Sequence, residues 1–185
     1  MNGALLSRYL YKNRVYYIIS VYIYIAAYAS GVFYGARANV TLPSEVKLMS
    51  VLLDSVIPMV AISIGGLFFI GNLFSCCGLC VMAYRMGVLL GACVRVSFSD
   101  VIAYLFFVGI PVGVVYFLCG VGAFSSAMEC NVSRLKIRRK GLARPMNQAE
   151  IRGYVGRGMV FVGASIIMAV LEYWVFYRAF VNIIN

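Results

Sequence analysis

Residues 57–96 read IPMVAISIGGLFFIGNLFSCCGLCVMAYRMGVLLGACVRV, forty positions that carry two charges, Arg85 and Arg95. A helix needs roughly 20 apolar residues to cross a hydrocarbon core of about 30 Å, and in lipid its backbone must satisfy its own hydrogen bonds. The stretch therefore holds two spanning helices, 57–73 and 76–96, separated by little more than Asn72 to Ser75. So short a connection makes them an antiparallel hairpin.

Working outward, the same logic gives three more spans. Residues 15–35 form an apolar run preceded by Arg8, Lys12 and Arg14. That flank also suits a signal peptide, with Ala27, Tyr28 and Ala29 imitating a cleavage site, but the run is too long and too rich in tyrosine for a signal core. Residues 101–127 follow the polar Ser97 to Asp100 and contain Pro111, which should kink the helix. Residues 159–184 make the last span, after Asn147 and Glu150 in the spacing of a capping box. Between the first two spans, Val46, Met49, Leu52, Leu53 and Val56 share one face of a helical pattern that starts at Pro43 and Ser44. It reads equally as a helix lying on the membrane surface or as the lead-in to the next span.

Composition agrees. Of 185 residues, 63% are hydrophobic and 12% charged, and the mean hydropathy is +0.93, outside the range of a domain with a solvated surface. The short alternating strands of an outer-membrane barrel are missing. The expected fold is all-α: a single integral membrane domain over residues 1–185, a bundle of about five transmembrane helices. The net charge of +10 is not a nucleic-acid signal, because the basic residues flank apolar runs. Residues 129–157 form a basic loop with Arg134, Lys136, Arg138, Arg139, Lys140 and Arg144 suited to anionic lipid headgroups. With five spans this loop and the N-terminus share one side, which carries 11 Lys and Arg against 4 on the other. The excess places the N-terminus in the cytoplasm and the C-terminus outside.

Chemistry is sparse. Histidine is absent, which removes the usual general base and the commonest metal ligand. Cys76, Cys77 and Cys80 include a lone CxxC in an apolar helix, and six cysteines in such a chain read as small apolar residues. No metal, cofactor or catalytic set is expected. Two ionisable residues are conspicuous: Arg85 in the third span and Glu172 in the fifth, at depths of about 13 and 20 Å from the cytoplasmic ends at ~1.5 Å per residue. Ionisable groups there cost several kcal/mol unless paired, and each is the other's natural partner. Such a pair fixes helix packing, or serves as a relay for ions or protons. Gly31 with Gly35, Gly87 with Gly91 and Gly109 with Gly113 have the spacing that lets helix backbones approach closely, within the bundle or between protomers. Tyr17, Tyr24 and Tyr28 share a face of span one and want a neighbour.

Arg85-Met86-Gly87 followed by Leu90-Gly91, Asp100 ahead of a span containing Pro111, the basic stretch from Ile137 to Lys140, and Glu172-Tyr173 in the last span resemble the stage II sporulation protein M family. The resemblance covers residues 10–182, although the segment 36–56 is shorter than it leads one to expect. It implies a multi-pass protein of the bacterial inner membrane, in sporulation the mother-cell membrane. There it would act as a non-enzymatic scaffold for forespore engulfment, positioning the peptidoglycan hydrolases known as stage II sporulation proteins D and P. A permease or channel subunit built on Arg85, Glu172 and the Pro111 kink is the alternative.

Overall fold

A computed structural model describes residues 3–38, 47–68, 71–96, 102, 110–139 and 148–174. Among the described residues all regular structure is helical: α1 (Gly3–Arg37), α2 (Leu48–Gly65), α3 (Gly71–Val96), α4 (Val114–Arg139) and α5 (Gln148–Glu172). Each contains or adjoins a stretch long and apolar enough to cross a membrane. The chain is a multi-pass helical membrane protein.

Side-chain contacts give the direction of every helix. Gly31 and Gly35 of α1 lie against Tyr84, Val88 and Ala92 in ascending order, so α1 and α3 run parallel. Ser55 and Gly65 of α2 meet Arg85 and Ser75 of α3, which makes these two antiparallel. Gly113, just before α4, and Gly120 within it meet Met86 and Met82 of α3, again antiparallel. Tyr154 and Ser165 of α5 reach Ser63 and Ser55 of α2, so α5 also runs against α2. Helices α1, α3 and α5 point one way, α2 and α4 the other, as alternate insertion of five spans demands. The membrane face holding the start of α1 is the near face; the opposite is the far face.

The core lies where α3 is surrounded: Met59 and Ile62 from α2, Leu79, Met82 and Met86 from α3, Tyr116 and Phe124 from α4, and Met168 from α5 are buried together. Tyr24 of α1 joins them, its ring edge-on to Phe117 at 5.0 Å and stacked on Tyr28 at 6.3 Å. That contact gives the tyrosine face of α1 its neighbour. Large apolar side chains such as Tyr22, Phe33, Leu118 and Val160 point outward, as they do where lipid is the solvent.

The boundaries differ from the sequence-based expectation in three places. The second span is Leu48–Gly65, not 57–73. Pro58 sits buried inside α2 rather than at its start, and its missing N–H leaves the Asp54 carbonyl without an intrahelical donor. The choice between a surface helix and a lead-in is thereby settled for residues 48–56, which are the first half of the span itself. Second, the turn of the hairpin includes Gly66 to Phe68, with Leu67 N–H donating to Ile64 O, and α3 starts at Gly71. Third, α4 continues to Arg139 and α5 starts at Gln148, so both ends of the expected basic loop are helical. Arg134, Lys136, Arg138 and Arg139 occupy the last turns of α4; Lys140, Arg144, Asn147 and Gly109 lie outside the described residues. Pro111 falls in a π-helical turn over 110–113, a form often found where a helix departs from regular bonding. The last described span ends at Glu172, and residues 175–184 of the expected fifth span lie outside the described residues.

Candidate functional site: an ion pair within the membrane

Four helices meet at Arg85. Its Nη2 donates to Glu172 Oε1 at 2.7 Å and its Nη1 to Ser55 Oγ at 2.5 Å, so one guanidinium ties α3 to α5 and α2. The planar fork of arginine suits this task, offering two parallel donors that a lysine lacks. Ser165 Oγ donates to the Ser55 carbonyl at 3.1 Å and closes α5 onto α2 by a second route. Tyr116 of α4 supplies the fourth wall: its hydroxyl adjoins Glu172 and Ser55 in an alignment that closes no hydrogen bond.

Burial is uneven across the pair. Glu172 is wholly enclosed, whereas the Arg85 side chain keeps 18% of its surface. Glu172 Oε2 and the Tyr116 hydroxyl are both buried without a hydrogen-bond partner. Ser55 stands seven residues into α2, which sets the cluster about 10 Å below the far face at ~1.5 Å per residue. Asp54, the next residue on α2, lies within electrostatic reach of Glu172 and is exposed on the outside of the bundle. Glu172 thus feels one cation, Arg85, and one further carboxylate, Asp54.

The glycines form a different site. Gly31 and Gly35 pack against Gly87 and Gly91, and the backbones are in contact: a Cβ on Gly31 would strike the Tyr84 carbonyl and a Cβ on Gly87 the Tyr28 carbonyl. The two small-residue pairs read separately in the sequence are one interface between α1 and α3. Gly113 instead faces the Met86 side chain with room to spare.

A second polar layer sits toward the near face. Asn131 Nδ2 donates to Asn72 Oδ1 at 2.6 Å and to the Gly65 carbonyl at 3.4 Å, tying the end of α2 to α3 and α4. Tyr154 Oη donates to the Ser63 carbonyl at 2.5 Å, and Ser75 Oγ to the Ile62 carbonyl at 3.0 Å. Carbonyls at the C-terminal end of a helix lack partners of their own, and these side chains supply them.

None of the six cysteines is in a disulfide: Cys93 and Cys130 are buried, Cys76, Cys80 and Cys119 half-buried, and Cys77 is exposed on α3. Among the described residues no three His, Cys, Asp or Glu side chains gather as a metal site would require. Sequence reasoning did not single out Ser55, Asp54 or Tyr116. Serine and tyrosine carry no signal in an apolar run, and Asp54 passed as the polar side of an amphipathic segment.

In comparisons with protein-family models, curated proteins and solved structures, nothing matches this chain.

Proposed function

We propose that this protein is a non-enzymatic membrane scaffold that holds other proteins in place at the membrane. The observation that carries this reading is the use of Arg85. Its guanidinium is committed to helix-to-helix bonds with Glu172 and Ser55, and two apolar cavities of about 310 Å³ each are lined by neither Arg85 nor Glu172. A bundle locked across its polar residues is suited to presenting fixed outer faces. The exposed apolar and aromatic side chains of α1, including Tyr22, Phe33 and Tyr34, offer one such surface.

The partner class comes from the sequence resemblance: peptidoglycan hydrolases of the stage II sporulation D and P type, in a bacterial inner membrane with the near face cytoplasmic. Affinity capture of a tagged full-length copy from its host membrane tests this, with crosslinking before extraction. The expected result is co-purification of such hydrolases; recovery of the protein alone or as a homo-oligomer overturns the scaffold reading.

A second reading, a permease or channel subunit, draws on Glu172 Oε2 and the Tyr116 hydroxyl, buried polar atoms without partners. Unsatisfied groups of this kind are where water or a transported ion binds. A cysteine introduced beside Arg85, after the native cysteines are removed, separates the two. It stays inert to a polar thiol reagent in a dry scaffold and reacts in a hydrated path.

A further inference from the structure

Helix α2 has 18 residues, Leu48–Gly65, and at ~1.5 Å per residue its length of about 27 Å barely equals the hydrocarbon core it must cross. No slack remains at either end. Asp54, six residues after Leu48, therefore lies about 9 Å beneath the far face. Its side chain is exposed on the outside of the bundle and has no hydrogen-bond or ion-pair partner among the described residues. The short stem of aspartate cannot carry a carboxylate 9 Å to water, unlike the long stems of lysine and arginine. The guanidinium of Arg85 is directed instead to Glu172 and Ser55.

Asp54 also belongs to a stripe. Leu53, Asp54, Ile57 and Ile64 are exposed on α2, and Phe68 is exposed in the turn that follows it. The stripe runs toward the near face into an apolar hollow of about 310 Å³ lined by Ala61, Ile64, Gly65, Phe68 and Phe74. From Asp54 to Ile64 is ten residues, about 15 Å along the helix.

We infer that this α2 face docks the transmembrane helix of a different protein. That helix bears a lysine or arginine in the outer half of its span, opposite Asp54, and a bulky apolar side chain about 15 Å deeper, three helical turns on, that fills the hollow. Charge complementarity selects the occupant. A second copy in the same membrane orientation, related by a twofold axis through this face, would set Asp54 against Asp54, which argues against a twofold dimer and for a partner of opposite charge. The inference rests on the scaffold reading and deepens it by naming the surface and the chemistry of what it holds.

The test is a photo-crosslinking amino acid at Ile57 or Ile64 of the full-length protein in its host membrane, with Tyr22 on α1 as the control position, and sequencing of the crosslinked peptide. The expected adduct is a transmembrane segment of another protein with a basic residue in its outer half. Asp54→Asn lowers the adduct yield about tenfold or more, and Asp54→Lys abolishes it until the basic residue of the partner is changed to aspartate. Because Asp54 is exposed, Asp54→Asn keeps the thermal unfolding of the free protein, which guards against misfolding as the cause. Adducts with lipid alone, with a second copy, or with a segment lacking a basic residue overturn the inference, as does a yield indifferent to Asp54→Asn. If hydrolases co-purify with the whole chain while Ile57 yields no protein adduct, this docking face is wrong and the scaffold reading stands.

Discussion

Helix α3 is joined to α1 on one side and to α2 and α5 on the other, and the two junctions use opposite physics. Against α1, Gly87 and Gly91 remove side chains so that backbone meets backbone at Gly31 and Gly35. Against α2 and α5, Arg85 projects a long side chain that gathers Ser55 and Glu172. The first junction depends on shape alone. In lipid, where apolar burial drives no association between helices, close packing of small residues supplies the attraction. The second depends on charge: it fixes which helix lies where because a buried ion without its partner is intolerable. A bundle with one junction of each kind is rigid toward α1 and conditional toward α5.

The largest effect tests the conditional junction. Arg85→Met leaves the Glu172 carboxyl enclosed without its cation, and stability measured by thermal or denaturant unfolding in detergent should fall by about 3–5 kcal/mol. The double variant Arg85→Met with Glu172→Leu should recover most of that loss, since an apolar pair of similar volume replaces the ion pair. No recovery in the double variant would mean that the pair itself, rather than the burial of an unpaired charge, holds α5 in place.

Next comes the steric junction. Gly87→Leu places a side chain where the Tyr28 carbonyl already stands, and should destabilise the bundle by about 1–3 kcal/mol. Here a compensating change is not expected to help, because the obstacle is backbone. A disulfide crosslink engineered between α1 and α3 should form readily in the parent and poorly in Gly87→Leu. Equal yields would show that α1 reaches α3 without the glycine contact.

These two junctions were unequally legible in the sequence. The depth of Arg85 and Glu172 makes each demand a partner, and with so few ions in the membrane the choice is narrow. The glycine spacings were visible, but which glycine pair meets which is a matter of helix order that spacing does not encode. The second span was misplaced because Val46, Met49, Leu52, Leu53 and Val56 read as one face of an amphipathic helix starting at Pro43 and Ser44, although Leu48–Gly65 has a mean hydropathy of 2.0. Its proper limits had a signal: Leu48 to Gly65 is one span long and ends at the Gly65-Gly66 pair, where a turn is easiest. That displacement hid Asp54, since a residue assigned to a surface segment raises no question about its charge. Ser55 and Tyr116 were beyond reach, because their roles exist only once Arg85 and Glu172 are brought together.

A smaller effect distinguishes the two polar layers. Tyr154→Phe removes a hydroxyl that donates to the Ser63 carbonyl at 2.5 Å, and should lower stability by about 0.5–1 kcal/mol in the same unfolding assay. The loss is that of a single hydrogen bond, because Tyr154→Phe keeps the ring and its packing. A change above about 2 kcal/mol would make the layer near the end of α2, rather than Arg85, the principal clamp of the bundle.

The smallest effect is the most informative about Glu172. The Tyr116 hydroxyl is enclosed beside the carboxylate but makes no hydrogen bond, so Tyr116→Phe removes a polar atom that stabilises nothing in this arrangement. Deleting an unpaired buried hydroxyl while keeping the ring is close to neutral or slightly stabilising. The expected change in unfolding free energy is within about 0.5 kcal/mol. A loss above about 1 kcal/mol would show that in the bilayer the hydroxyl swings onto Oε2 and serves as the second donor to the carboxylate. In that event the junction toward α5 has two supports, Glu172 is fully satisfied, and the unpartnered oxygen that favours a transport role no longer exists.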